Sequence, residues 1–277
     1  MTDTPRGHAA LPTGRASIRD VAARAGVSVT TVSHTLNATR FVSVEAKAKV
    51  HEAAHALGYV PSEVARGLKH NTTRTLGMLV PNNSNPYFAE IIRGVEHHCY
   101  GAGYSLLLCN SNDDPQQQAD HLRVLAERRV DGIVLVASGD DAAIVAACKD
   151  LRLPLVLVDR EIDAIDVDLT GVDHAPGAEM ATAYLLSLGH ARVACIVGPA
   201  DLRPSQQREA GWRRALQSAG IEPRPDEIGR GDFGPQSGAA AMRRLLQSPQ
   251  RPTAVFVCND MMAIGALHAA HEAGIDV

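Results

Sequence analysis

The chain has 277 residues, 45% of them hydrophobic, and a formal net charge of −4. That length gives about two domains with core enough to fold without staples. Its five cysteines, at 99, 109, 148, 195 and 258, are odd in number and lack a C-x-x-C spacing, so they read as free thiols in a reducing cytoplasm rather than as a disulfide framework or metal site; no apolar run approaches the roughly 18 residues of a membrane span.

The first sixteen residues, MTDTPRGHAALPTGRA, lack the apolar stretch of a signal peptide and read as a disordered tail. Residues 17–60 read as a helix-turn-helix domain. Ser17 caps a first helix, with Asp20 three residues on, and Val21, Ala22 and Ala25 form its apolar face. Gly26 supplies the turn. Ser28 caps a second helix, Val29 to Leu36, with Val32 and Leu36 inward. Ser43 caps a third, with Val50, Ala54 and Leu57 inward. The second helix presents Val29, Thr30, Thr31, Ser33 and His34 at its outer side, small groups that a major groove admits, with Arg40 just beyond. Residues 1–70 carry nine Lys/Arg against five Asp/Glu, and the rest 18 against 26. A basic head on an acidic body suits one nucleic-acid surface.

Residues 61–73 form a hinge or linker. PSEVARGLKH has a good helix start, but about two turns do not persist alone in water. Paired across a dimer axis, two such helices support each other, leaving Leu68 to wedge into a minor-groove step and Lys69 to meet phosphate or a base edge. Residues 74–277 alternate short apolar runs (TLGMLV, YSLLLC, GIVLVA, PLVLVD, RVACIVG, TAVFVC) with helical stretches. That rhythm predicts parallel sheets covered on both faces, in two Rossmann-like subdomains of about 74–173 and 174–277. Ligands bind beyond the carboxyl ends of such strands. The loops there hold Tyr87, Phe88 and Phe233 from a stock of only ten aromatics, with Trp212 just past another.

IRDVAARAGVS, TTVSHTLN, RFVS and LGYVPSEVARGLK together resemble the LacI family of bacterial transcription regulators, and the likeness runs on to the chain end. The body is similar to periplasmic sugar-binding proteins of the ribose type at NPYF (85–88), DR (159–160), REAGW (208–212), DF (232–233) and ND (259–260). The resemblance implies a repressor reading palindromic operator DNA as a homodimer, and an effector held by Asn85, Asp159, Arg160, Arg208 and Asn259, with Tyr87, Phe88 and Phe233 packed on it. Each residue also has a plainer role. Asn85-Pro86 suits a helix start, Asp159 and Arg160 a surface ion pair, and Arg208 a solvated helix face. Asp260 is read as a helix cap and Asn259 as the ligand contact. An Asp–Arg pair suits a polyol, so ribose or another pentose is the first expectation. A purine is the alternative, since the head resembles that branch too. A sugar-binding protein without gene control fits the head poorly.

No G-x-S-x-G, H-E-x-x-H, P-loop or G-x-G-x-x-G occurs, and His97 and His98, being consecutive, point to different sides of a helix. No enzyme, cofactor or metal is expected. The sequence stops at Gly274-Ile275-Asp276-Val277, where members of the family resembled continue with another strand, so an incomplete second subdomain is expected.

Overall fold

The computed structural model describes residues 16–61, 72–137, 139, 141–149, 151–159, 161–162 and 164–277. The expected tail up to residue 15, the hinge helix with Leu68 and Lys69, and Arg160 lie outside them. The chain divides into two compact units, one up to Thr73 and one from Arg74.

The first unit packs three helices, α1 (Ile18–Ala25), α2 (Val29–Asn37) and α3 (Val44–Ala56). Local chemistry fixes each start. The Ser17 hydroxyl accepts from the Asp20 amide at 3.3 Å while the Asp20 carboxylate accepts from the Ser17 amide at 2.8 Å, a reciprocal box that satisfies two helix-end donors. Ser28 and Ser43 cap α2 and α3 through the amides of Thr31 and Ala46. Gly26 ends α1 at φ 65°, a left-handed turn that a side chain would strain. Val21, Val32 and Val50, one from each helix, are fully buried at the centre. Leu36 is only partly buried against them. Thr35, which the apolar spacing did not mark, is buried instead, and its Oγ1 lacks a hydrogen-bond partner among the described residues.

The second unit holds two parallel sheets. The first runs β2–β1–β3–β4–β5, from β1 (Thr75–Val80), β2 (Ser105–Asn110), β3 (Gly132–Val136), β4 (Leu155–Val158) and β5 (Asp168–Thr170). The second runs β7–β6–β8, from β6 (Val193–Val197), β7 (Ile228–Arg230) and β8 (Ala254–Val257). The six apolar runs of the sequence are six of these strands. The other two, DLT and IGR, are three residues long, too short and polar to announce themselves by periodicity. Helices alternate with the strands: α4 (Pro86–Gly101), α5 (Pro115–Glu127), α6 (Asp141–Cys148), α7 (His174–Ser187), α8 (Arg203–Ser218), α9 (Pro235–Leu246) and α10 (Asp260–Glu272). Separate cores lie under the two sheets, one with Leu79, Leu125, Ile133 and Leu157, the other with Val193, Ile196, Trp212 and Met262. Trp212 is wholly buried and donates to the Val193 carbonyl at 2.9 Å, so it is core and adds nothing to the loops. Gly211 beside it is required by packing, because a methyl group there would overlap the Ala175 carbonyl on the first turn of α7. Among the described residues no helix is long and apolar enough to cross a membrane.

Candidate functional site

A cleft of about 480 Å³ opens in the second unit between the carboxyl ends of the two sheets. The crossover topology dictates this position, since helices occupy the faces and leave the strand ends for ligands. Asn85, Tyr87, Phe88 and Asp159 line it from the first sheet, and Arg208, Phe233 and Asn259 from the second. Residues from far apart in sequence therefore share one cavity.

Asn85 caps α4, accepting from the Tyr87 amide at 3.1 Å, with Pro86 in the first turn. The capping and cleft-lining readings of this residue are compatible. On the second sheet's side, the cap role read for Asp260 belongs to Asn259. Asn259 is the cap of α10, accepting from the Met262 amide at 3.1 Å and donating to the Phe233 carbonyl at 2.9 Å. Asp260 is the first helical residue and lines the cleft. The geometric reason is that a cap needs extended backbone, which Asn259 has at φ −152° and ψ 160°. Asn259 lines the cleft as well.

Asp159 sits at φ 78° and Phe233 at φ 69°. Left-handed backbone costs a residue with a side chain about 1–2 kcal/mol, and such strain gathers where a side chain must be aimed. Asp159 accepts from the Tyr87 hydroxyl at 2.5 Å, and His174 Nε2 stands 3.5 Å from the same oxygen. Burial pushes the Asp159 carboxyl up, but the His174 and Tyr87 contacts and the Arg208 charge outweigh it and hold the group below the usual carboxylate range. Burial and then the hydrogen bond to Asp159 push the Tyr87 phenol far above its ordinary value. Arg208 reaches His174 Nδ1 at 3.1 Å; burial raises the Cys258 thiol pKa, and the nearby Arg208 charge only partly offsets it.

At the cleft mouth Asp113 follows β2 and Asp232 follows β7. Burial and then the Asp232 charge raise the Asp113 pKa, whereas a hydrogen bond from Ser237, then one from the Gly234 amide, lower that of Asp232. The sequence reading names none of His174, Cys258, Asp113, Asp232 and Asp260 as a ligand contact, and takes Asp260 for a cap. Only position just past a strand end pointed to Asp113, Asp232, Cys258 and Asp260, and nothing pointed to His174. Among the described residues no group of three His, Cys, Asp or Glu gathers around one ion site.

In the first unit, Val29, Thr30 and Arg40 are exposed, and Thr31, Ser33 and His34 are half-buried. Thr31 Oγ1 lies 2.9 Å from Ser28 Oγ, Ser33 Oγ accepts from Asn37 at 3.3 Å, and His34 Nδ1 lies 2.8 Å from Thr39 Oγ1. That last bond orients the imidazole and leaves Nε2 open. Phe41, which the sequence reading passed over, stands 93% exposed beside Arg40.

Residues 17–62 match the bacterial regulatory proteins of the lacI family, and residues 73–277 match the periplasmic binding proteins and sugar binding domain of the LacI family. The chain belongs to the LacI family. The HTH-type transcriptional repressor PurR of Edwardsiella ictaluri is 45% identical to it over 264 residues, covering 95% of this chain and 77% of that protein. PurR of Aliivibrio salmonicida is 41% identical over 263 residues, covering 95% and 79%. Among solved structures, the lac repressor dimer bound to operator and the anti-inducer ONPF superposes with a TM-score of 0.84 at 26% identity, over 95% of this chain and 80% of that one. A putative ribose operon repressor from Burkholderia thailandensis gives 0.68 at 30% identity, over 74% and 76%. This LacI-family member is a DNA-binding transcriptional repressor and not an enzyme. LacI-type repressors bind operator DNA and small-molecule effectors as dimers. The relatives favour the purine alternative over the pentose reading. The sequence argument against a flat base considered only the position beside Asp159, whereas Phe88 and Phe233 bring aromatic faces to the same cleft from both sheets.

Proposed function

We propose that this protein is a purine-responsive repressor of the bacterial cytoplasm that binds a purine nucleobase in the cleft between its two sheets. The carrying observation is the 41–45% identity to PurR proteins across 95% of the chain. The cleft chemistry supports it. A purine has two flat faces and an edge of alternating donors and acceptors. Tyr87, Phe88 and Phe233 supply aromatic surface. Arg208 can only donate, and ionised Asp159 can only accept; Asn85, Asn259 and Arg160 complete the polar set. Calorimetry of the protein against hypoxanthine, guanine and ribose tests the reading. Saturable binding of a purine and none of ribose is expected; the reverse overturns it in favour of a pentose.

The same proposal extends to DNA. Val29, Thr30, Thr31, Ser33 and His34 face the major groove and Arg40 contacts DNA nearby, with residues 61–73 linking head and body and Leu68 and Lys69 meeting the minor groove. One head of this size reads only a few base pairs, so a homodimer on a palindromic site is expected. Sedimentation of an operator complex containing one protein chain would overturn that arrangement.

A further inference from the structure

His174 belongs to no part of the site described by sequence, yet it stands between two of its charged residues. It is the first residue of α7, 8% exposed. Its Nδ1 is 3.1 Å from an Arg208 Nη2 and its Nε2 is 3.5 Å from the Asp159 carboxylate. Guanidinium has five donors and no acceptor. The short contact therefore requires Nδ1 to be an unprotonated acceptor, and the neutral ring then carries its proton on Nε2. That proton points toward Asp159, and Nε2 has no hydrogen-bond partner within ordinary range among the described residues. Asp159 and Tyr87 come from the first sheet's side of the cleft, Arg208 and His174 from the second's. The four side chains form one chain across the cleft: Tyr87 to Asp159, Asp159 to His174, His174 to Arg208.

We propose that His174 is the positioning residue of the effector cleft, its neutral Nε2–H tautomer fixing the Arg208 guanidinium through Nδ1 and aligning it with Asp159 of the opposite side. This rests on the reading of the cleft as the purine site. A free arginine side chain sacrifices rotamer freedom when it meets a ligand; one already held by a fixed acceptor has sacrificed it beforehand. Protonating Nδ1 would remove that acceptor and set two cations against each other. The charged and titratable groups around the ring are Asp159 after β4 with Tyr87 on α4 bonded to it, and Arg208 on α8, whose charge also acts on the Cys258 thiol after β8. An asparagine keeps an acceptor oxygen close to the place of Nδ1, whereas leucine keeps none.

Two measurements test this. In the ¹⁵N-labelled full chain, long-range ¹H–¹⁵N correlation at neutral pH is expected to show His174 Nδ1 unprotonated and Nε2 protonated; the opposite tautomer, or an imidazolium, overturns the proposal. Calorimetry with hypoxanthine is expected to show a loss of about 10- to 100-fold for His174→Leu, the size of one hydrogen bond to a charged group, and no more than about threefold for His174→Asn. Equal losses in the two variants, or none in either, overturn it. Should His174→Leu fail to fold, His174→Asn and the wild-type tautomer still decide. A wild type that ignores hypoxanthine but shows the expected tautomer sinks the purine reading alone.

Discussion

The head and the cleft are assembled by opposite means. In the head each helix start is fixed by a partner three residues away, Ser17 with Asp20, Ser28 with Thr31, Ser43 with Ala46. In the cleft Tyr87 meets Asp159 and Arg208 meets His174, pairs separated by 72 and 34 positions. Local bonds make the DNA-reading shape available as soon as the chain turns. Bonds between distant elements make the effector site depend on how the two sheets stand relative to each other, which is what a ligand-responsive site requires.

The largest effects should come from breaking the long-range pairs. Asp159→Ala removes the acceptor of the Tyr87 hydroxyl and the counter-charge of Arg208, and Arg208→Ala removes the second sheet's cation. Each should cost about 3 kcal/mol of effector binding, a hundredfold or more, with operator affinity in the absence of effector unchanged. Calorimetry and a gel-shift series check both halves, and unchanged effector affinity in both variants would falsify the cleft assignment. A smaller effect is expected at the head. If His34 reads base edges as proposed, His34→Ala should lose about 1–3 kcal/mol on the specific site and much less on random DNA. Equal losses on the two DNAs would remove His34 from base reading. Ser17→Ala should cost about 1 kcal/mol of head stability and leave the body untouched. The protein's single tryptophan lies in the body, so its fluorescence melt should stay put while the helical signal of the head softens; a shift in both would show that the two units unfold together.

The smallest effect sharpens the contrast by its sign. Asp159 has a depressed pKa, so its stabilisation is complete above the ordinary carboxylate value near 3.9 and is lost as pH falls through the folded value. Asp113 is raised, first by burial and then by Asp232, so its ionised form is penalised and the penalty fades as pH falls through its folded value. Asp113→Asn should therefore stabilise the body at pH 7, by at most about 1 kcal/mol after screening by solvent at its open side, and the gain should vanish in acid. Asp159→Asn should do the reverse, destabilising at pH 7 and mattering less in acid. Tryptophan melts at pH 7 and at about pH 3, below the ordinary carboxylate value, distinguish the two, and parallel behaviour of the variants would contradict the assigned shifts.

The same local-against-distant contrast explains what could be read from the sequence. Serine caps, Gly26 and the four-residue apolar spacing need only neighbours, and the three head helices follow from them. Six strands announced themselves as apolar runs, while DLT and IGR were missed because three polar-edged residues carry no period. Thr35 was missed because the helix turn, not its polarity, puts it inside. Positions just past the strands led to Asn85, Tyr87, Phe88, Asp159, Phe233 and Asn259 in the cleft lining, because the topology turns the strand ends of both sheets toward the cleft. His174 was invisible, since it opens a helix after a weak strand and its partners come from α8 and β4. The pentose expectation weighed one neighbour of Asp159, whereas the cleft draws aromatic faces from two sheets and the relatives favour the purine alternative.

The contact at Gly211 sets how much variation the cleft tolerates. Arg208 lies one turn earlier on the same helix, and the Ala175 carbonyl it approaches follows directly after His174. A single added methyl would wedge the first turn of α7 away from α8 and pull the imidazole from the guanidinium, without touching a residue that faces the ligand. Natural variation in effector response should thus be purged as strictly at this hidden, chemically inert position as at the charged residues themselves.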